Sequence, residues 1–212
     1  MNLKITKFVH SCLLVETSDR TAVFDPGAMS ENAFNFDAVT TLHDIFVTHI
    51  HGDHLSVSFI KKLIEKYPDA AITTTAEIVE SLKQDGIKAS NQPSDGVVFF
   101  DSPHEDVRPL FPIPQQIGIH YLNTLTDPGD SHNFSETKAI LALPITAPWG
   151  STIKALNLAL QLKPKHVLPI HDWHWNEVAR EQTYDNFERI LDEQGITFHK
   201  LKTGEPVQIE IE

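Results

Sequence analysis

The stretch Thr48-His49-Ile50-His51-Gly52-Asp53-His54 directly follows the apolar run Ile45-Phe46-Val47. Its three histidines and one aspartate are side chains that bind zinc-like divalent metals. Where a strand runs into a turn, alternate residues lie on one side, so the first two histidines are expected to point at one metal position. The aspartate and the last histidine, beyond the flexible glycine, are expected to point at a second position. Because four ligands in one short loop would crowd a single tetrahedral ion, the pattern predicts two metals.

A His-x-His-x-Asp-His motif after a hydrophobic strand resembles the signature of the metallo-β-lactamase superfamily. His10-Ser11-Cys12 resembles the Gly-His-Ser-Cys segment of the branch that includes the bacterial ascorbate-6-phosphate lactonases and many metal-dependent hydrolases, with Val9 in place of the glycine. Asp25-Pro26-Gly27 resembles the turn whose aspartate supports the metal loop in this family. An aspartate that caps a turn explains Asp25 almost equally well.

Composition and charge limit the class of protein. The 212 residues, 41% hydrophobic and 22% charged, are typical of one globular domain covering residues 1–212. A net charge of −12 with scattered basic residues argues against a nucleic-acid partner. The sequence has no apolar run near the roughly 20 residues of a membrane span, and Met1 to Leu14 does not resemble a signal peptide. The single cysteine, Cys12, fits a reducing compartment, so we predict a cytoplasmic protein.

Hydrophobic patterning predicts an antiparallel start followed by alternating strands and helices. Strands are expected at residues 3–9, 12–17, 21–24, 45–48, 70–74, 96–100, 116–122, 138–143, 165–170, 196–201 and 206–211. Helices are expected at 56–67, 76–84, 151–162 and 176–193, with Ile153 and Val178 among the core contacts of the last two. This order resembles the four-layer αβ/βα sandwich of the superfamily, an α/β fold. The Pro-rich stretch 103–128 and the loop 144–150 are expected to line a substrate pocket.

The resemblance implies three further ligands, each just past an apolar strand. His104 follows the strand Val97–Phe100, Asp130 lies in a Gly-Asp-Ser turn that resembles the family's bridging aspartate, and His171 ends the strand Val167–Ile170. The implied set is His49, His51 and His104 on the first metal, Asp53, His54 and His171 on the second, and Asp130 bridging both.

Several other polar residues near these positions have less defined roles. His120 is expected on a face of the sheet. His132 is an alternative to His104 as a ligand, although a place beside the ligands is favoured. His132, His174 and Asp172 are candidate proton donors to the leaving group.

Two metals that share an oxygen lower the pKa of water from 15.7 to about 7 or 8, which makes hydroxide available near neutral pH. The resemblance implies that this hydroxide attacks a carbonyl or phosphoryl centre, with Asp53 and Asp130 as the catalytic carboxylates. We therefore predict an enzyme, a binuclear metal-dependent hydrolase that cleaves an ester, lactone, amide or phosphodiester bond in a small molecule. Zinc is the expected metal, with manganese or iron as alternatives. Assembly into a homo-oligomer stays open.

Two alternatives to hydrolysis share this scaffold. Oxygen-reducing di-iron relatives carry a glutamate where this chain has His51, which favours hydrolysis over that redox chemistry. A mono-iron dioxygenase of the persulfide type shares the histidine pattern. The second alternative is a metal-binding protein without turnover.

Overall fold

The computed structural model describes residues 1–211, which contain twelve strands, four α-helices and one 3₁₀ helix. In chain order they are β1 (Asn2–Lys7), β2 (Leu13–Glu16), β3 (Thr21–Phe24), a 3₁₀ helix (Phe36–Ala38), β4 (Asp44–Phe46), α1 (Val57–Lys66), β5 (Ala71–Thr73), α2 (Ala76–Gln84), β6 (Val97–Phe100), β7 (Gly118–Tyr121), β8 (Leu125–Asp127), β9 (Ile140–Pro144), α3 (Thr152–Leu162), β10 (His166–Ile170), α4 (Glu177–Asp192), β11 (Thr197–Phe198) and β12 (Pro206–Glu210). The chain divides into two units. The first contains Met1–Asp95, Pro114–Gln116 and the chain from Lys202 onward, and the second contains Gly96–Ile113 and Ile117–Leu201.

The first unit is a six-stranded mixed sheet in the order β12-β1-β2-β3-β4-β5. Strands β12 to β3 pair antiparallel, whereas β3, β4 and β5 pair parallel. The apolar faces of α1 and α2 pack on this sheet, where Phe59, Leu63 and Ile78 are fully buried beside Val23 and Ile45. Because β4 is an interior strand of this parallel segment, the loop that leaves its carboxyl end starts from a rigid position.

Capping residues begin and end the helices of the first unit close to their predicted positions. The Ser56 hydroxyl accepts the backbone N–H of Phe59 at 3.2 Å and so caps α1 at the start of the helix predicted over residues 56–67. Helix α2 ends at Gln84 with Asp85 as its C-cap, and Gly86 follows with a left-handed φ of 73°. The N–H of Gly86 donates to the Lys83 carbonyl and that of Ile87 to the Leu82 carbonyl, which is the Schellman arrangement of a helix end.

The second unit is also a six-stranded mixed sheet, in the order β11-β10-β9-β8-β7-β6. Strands β6 to β8 pair antiparallel, and β8 to β11 pair parallel. Leu141 and Val167 of this sheet pack with Ala155 of α3 and with Phe187 and Leu191 of α4. All five side chains are essentially fully buried.

The second unit differs from the sequence predictions in three features. Strand β8 was not predicted, because three residues between turns carry too little periodicity to be recognised. The strand expected at 196–201 is only Thr197–Phe198. Ile153 and Val178 are 64% and 77% exposed rather than in the core, because each is the second residue of its helix and the buried face begins further along.

The structure shows the surroundings of the single cysteine and the lengths of the helices. Cys12 is completely buried, and this burial raises the pKa of its thiol. The thiol therefore packs as a small apolar group. Among the helices of residues 1–211, none has the length and hydropathy that a membrane span requires.

Candidate functional site

The metal loop, residues 48–54, follows β4 in the first unit and is held by Asp25 at the end of β3. Asp25 Oδ1 accepts the Thr48 backbone N–H at 2.7 Å. Its Oδ2 accepts the Thr48 hydroxyl at 2.9 Å and Nδ1–H of His54 at 2.6 Å. Asp25 is fully buried, and its φ of 45° is uncommon for a residue other than glycine. The buried carboxylate is thus stabilised by the metal loop and in turn fixes the shape of that loop.

The turn after Asp25 contacts the same loop through its backbone. The Ala28 N–H donates to the Gly52 carbonyl at 2.9 Å, and the Ser56 N–H donates to the Pro26 carbonyl at 3.0 Å. A Cβ atom on Gly27 would lie 1.7 Å from the Asp53 carbonyl oxygen. Because backbone atoms cannot move away as a flexible side chain could, glycine is required at this position.

The hydrogen bonds of this loop determine which ring nitrogen of two histidines carries a proton. The Thr48 hydroxyl donates its proton to Asp25, so its oxygen accepts Nδ1–H of His49 at 3.1 Å. His54 likewise uses Nδ1–H on Asp25. A neutral imidazole with its proton on Nδ1 carries a lone pair on Nε2, so both rings present a metal-binding nitrogen. The two ring centroids lie 4.0 Å apart.

The possible metal ligands of the first unit fall into two groups. Ligand atoms of His49 and His51 lie within 4.8 Å of each other, as do those of His10, Asp53 and His54. The structure thus brings together all four residues that the motif predicted in this unit. It adds His10, whose Nε2 is 2.9 Å from Asp53 Oδ2. The sequence signal for His10 was its place in His10-Ser11-Cys12, to which no role was assigned.

The second unit brings together the other three predicted ligands. Nδ1–H of His171 donates to the Thr146 carbonyl at 2.8 Å, and Nδ1–H of His104 donates to the Glu105 carbonyl at 2.6 Å. Because a carbonyl oxygen only accepts, both neutral rings carry their lone pair on Nε2. These Nε2 atoms lie 3.1 Å (His171) and 3.7 Å (His104) from Asp130 Oδ2.

Two hydrogen bonds hold the segment of His104 beside the turn of Asp130. The Ser102 hydroxyl donates to the Pro128 carbonyl at 2.7 Å, and the Glu105 N–H donates to the Asp130 carbonyl at 2.9 Å. Within the turn, the Gly129 N–H donates to Asp127 Oδ1 at 3.0 Å. His104 and Asp130 are far apart in sequence but are positioned by one local network.

Trp149 is a contact of this group that sequence reasoning missed. Its indole N–H donates to Asp130 Oδ2 at 3.1 Å, and its ring centroid lies 5.5 Å from that of His171. The loop 144–150 was expected to line a pocket, but nothing in its sequence marked this tryptophan as a partner of the aspartate. The same carboxylate oxygen therefore faces an N–H donor and two imidazole nitrogens.

His132 lies beside these residues, and the donor atoms that lie within 4.8 Å of one another include those of His104 and Asp130. Its Nε2–H donates to the Pro144 carbonyl at 2.6 Å, so this nitrogen is not available as a metal ligand. Burial lowers the pKa of the His132 ring, which keeps it neutral at physiological pH. The backbone N–H of His132 donates to Glu105 Oε1 at 3.1 Å, which links it to the segment of His104.

Two other residues considered from the sequence have structural partners. Asp172, a candidate proton donor, accepts the Tyr184 hydroxyl and forms a 3.2 Å ion pair with Arg180. It therefore ties the chain after His171 to α4. His120 stacks on Phe100 with ring centroids 4.2 Å apart, in agreement with its predicted place on a sheet face.

Comparisons with known proteins show which family and fold this chain shares. The family model of the beta-lactamase superfamily domain matches residues 4–171. Protein Rv0786c of Mycobacterium tuberculosis is 27% identical over 92% of this chain and 100% of its own length. A protein of Salinibacter ruber named UPF0173 metal-dependent hydrolase is 27% identical over 96% of this chain and 98% of its own. Cytidine monophosphate-N-acetylneuraminic acid hydroxylase of Sus scrofa is 29% identical, over only 39% of this chain and 22% of its own.

Solved structures share the fold at low sequence identity. Igni18, a metallo hydrolase of Ignicoccus hospitalis, has a TM-score of 0.72 and 19% identity over the whole of both chains. YhfI of Bacillus subtilis, a metallo-beta-lactamase fold protein, has a TM-score of 0.68 and 17% identity over 98% of this chain and 100% of its own. CmlA, a diiron beta-hydroxylase of Streptomyces venezuelae, has a TM-score of 0.69 and 14% identity over 99% of this chain and 54% of its own.

The match to the family model covers most of the chain, including the metal loop, Asp130 and His171. The structural neighbours confirm the predicted α/β fold class. The chain therefore belongs to the beta-lactamase superfamily and has the metallo-β-lactamase fold.

Proposed function

We propose that this protein is a binuclear metal-dependent hydrolase of small molecules. His49, His51 and His104 would hold the first metal, Asp53, His54 and His171 the second, and Asp130 would bridge them. Five imidazoles and two carboxylates are the donor types of zinc hydrolases. The relatives named hydrolases support the reaction class.

One observation carries this proposal. His171 Nε2 and Asp130 Oδ2 lie 3.1 Å apart, and Nδ1 of the same ring already donates to the Thr146 carbonyl. In the neutral ring that a metal ligand must have, both facing atoms are lone-pair donors. Two such atoms repel each other unless they share a cation, and a divalent metal is the cation that imidazole and carboxylate bind together.

The residues of the chain would prepare this site for hydrolysis. When bound, two divalent ions would supply a hydroxide near neutral pH and stabilise negative charge on a carbonyl or phosphoryl oxygen. Asp25 orients the His54 ring by accepting its Nδ1–H, as outer carboxylates do for metal-binding histidines. Trp149 orients the Asp130 carboxylate by donating to Oδ2. We further propose that the metal is zinc and that the protein acts in the cytoplasm.

Metal analysis together with a hydrolysis panel tests this proposal. Protein stripped with a chelator and reloaded with zinc should hold close to two ions per chain. It should then hydrolyse at least one of a set of simple lactones, carboxylic esters, amides and phosphodiesters. His43→Ala, which removes a histidine outside the donor set, serves as the matched control. A fully loaded protein that never exceeds one metal per chain would contradict the binuclear proposal.

A second candidate function is oxygen activation by iron on the same scaffold. The partial similarity to a hydroxylase and the fold shared with a diiron beta-hydroxylase favour keeping this candidate. His51 argues against the oxygen-reducing di-iron type, because those relatives carry a glutamate there. Iron reconstitution with measurement of oxygen uptake separates the two functions, since a zinc hydrolase consumes no oxygen.

A further inference from the structure

His10 makes a partly buried hydrogen bond to the carboxylate of the metal loop. Its Nε2 lies 2.9 Å from Asp53 Oδ2. The His10 side chain is completely buried, whereas a quarter of the Asp53 side chain is exposed. Because an ionised carboxylate only accepts, this bond requires a proton on Nε2. A protonated nitrogen has no lone pair to give a metal, so in this geometry His10 is a donor to Asp53 and not a ligand.

The backbone holds His10 in a conformation that a residue other than glycine rarely adopts. Its φ is 68°, in the left-handed region. The Ser30 hydroxyl binds the carbonyl of the preceding residue at 2.5 Å, and the Phe8 N–H donates to the Cys12 carbonyl at 2.8 Å across the turn. Strain of this kind persists where surrounding contacts enforce it, and it is concentrated at functional sites.

The ring of His10 is also oriented by a second member of the donor set. It packs edge-on against the His54 ring, with centroids 5.6 Å apart and an interplanar angle of 77°. His54 is itself fixed by the buried Asp25. His10 therefore joins a rigid part of the unit to Asp53. Asp53 follows Gly52, where a Cβ atom added to the glycine would meet nothing within 4 Å.

We infer that His10 is a positioning residue for metal binding, which holds the Asp53 carboxylate in one rotamer by donating Nε2–H to Oδ2. This inference rests on the proposed function, because it assigns Asp53 to a metal. Without the bond, Asp53 Oδ2 loses the His10 donor, and the partly exposed carboxylate is held less firmly. Metal binding would then have to order the Asp53 side chain, and this entropic cost would lower the affinity for the metal at this position.

Two substitutions separate the positioning role from a ligand role. His10→Gln places an amide Nε2 donor near the position of the imidazole Nε2, but a glutamine amide is a poor zinc ligand. His10→Leu replaces the imidazole with an apolar side chain of similar size and so removes the donor. Zinc affinity is measured in competition with a chromophoric chelator, and cobalt replacement gives a visible spectrum that reports the geometry of each site. The readout is thus independent of turnover.

We expect His10→Leu to weaken binding of one of the two zinc ions by about 10–100-fold, the usual effect of losing a partner of a metal ligand. His10→Gln should recover most of this affinity and the wild-type cobalt spectrum. His43→Leu is the control in the same unit. If His10→Leu does not fold, His10→Asn is used instead, since asparagine tolerates the left-handed backbone but is too short to reach Asp53.

The outcomes separate this inference from the proposed function. If wild-type protein binds two zinc ions and His10→Leu binds them equally well, the positioning role is wrong while the proposed function stands. If His10→Leu and His10→Gln lose one ion to the same extent, His10 is a ligand and the inference is wrong. If wild-type protein never binds a second ion, the proposed function fails and this inference fails with it.

Discussion

At the scale of single residues, the position of the ring proton decides which nitrogen of a histidine offers a lone pair. His104 uses Nδ1–H on a carbonyl and presents Nε2, whereas His132 uses Nε2–H on the Pro144 carbonyl. We expect His104→Ala to lose metal from the first site and to abolish hydrolysis. His132→Ala should retain near-normal metal content. Mass-spectrometric metal analysis of both purified variants checks this, and the reverse pattern would show that His132 is the ligand.

Asp130 is the residue whose charge should matter most. Its Oδ2 faces His171, His104 and the Trp149 N–H, and its side chain is almost completely buried. Asp130→Asn keeps the shape and removes the charge that offsets two divalent ions. Loss of an outer partner costs 10–100-fold in metal affinity, and loss of a bridging carboxylate should cost at least that order.

Zinc titration of the Asp130→Asn protein, followed by hydrolysis of a generic ester or phosphodiester, measures this effect. Asp106→Asn is the matched control, because Asp106 is exposed and bonded to Arg108. Wild-type affinity and rate in Asp130→Asn would mean that Asp130 only shapes its turn.

At the scale of elements, local chemistry made some features predictable from the sequence and others not. The start of α1 at Ser56 could be predicted, because a capping hydroxyl binds N–H groups only two or three residues away. Strand β8 could not be recognised, because its stability comes from its neighbours β7 and β9 rather than from its own three residues. The Trp149–Asp130 contact joins two loops, and no local pattern encodes such a pairing.

Gly27 gives a prediction about the turn that supports the metal loop. Gly27→Ala would place a Cβ 1.7 Å from the Asp53 carbonyl oxygen, so either the turn or the loop must shift. Overpacking against backbone typically costs about 1–3 kcal/mol, and the shift should also weaken zinc binding. Gly52→Ala is the control within the same loop, because its Cβ would meet nothing within 4 Å. Denaturant unfolding and zinc titration of both variants test this; equal behaviour would contradict the steric argument.

At the scale of the whole molecule, the predicted ligands follow one rule in both units. Each comes just after the carboxyl end of a strand or in a turn between strands: the metal loop after β4, His104 after β6, Asp130 after β8 and His171 after β10. For the metal loop, His104 and His171 this placement was predictable, because polar donors after apolar strands can be recognised in the sequence. Asp130 was found through the resemblance of its Gly-Asp-Ser turn, since β8 was not recognised. His10 was not predictable, because its role depends on a left-handed backbone and on a contact with a residue 43 positions away.

Stability of the whole chain should fall in acid because of a histidine pair far from the donor set. His199 Nε2 lies 3.2 Å from His166 Nδ1 in the second unit. Burial, together with the neighbouring His166, lowers the pKa of His199 from 6.5 to about 4. The unfolded chain therefore takes up a proton at a higher pH than the folded chain. The stabilisation is present above about pH 6.5 and is lost as the pH falls from 6.5 toward 4.

His199→Gln removes this titration and should flatten the acid limb of the stability curve. A shift of this size corresponds at most to about 3 kcal/mol, and the partial exposure of the ring reduces the expected effect to about 1–2 kcal/mol. Urea unfolding of the metal-free wild type and variant at pH 8 and pH 4.5 measures the difference. Both proteins are used without metal, so that acid-induced loss of metal does not contribute to the change in stability. The variant should lose less stability than the wild type between these two pH values. An identical loss in both proteins would mean that His199 is protonated as readily in the fold as in the unfolded chain, and that the acid sensitivity comes from other groups.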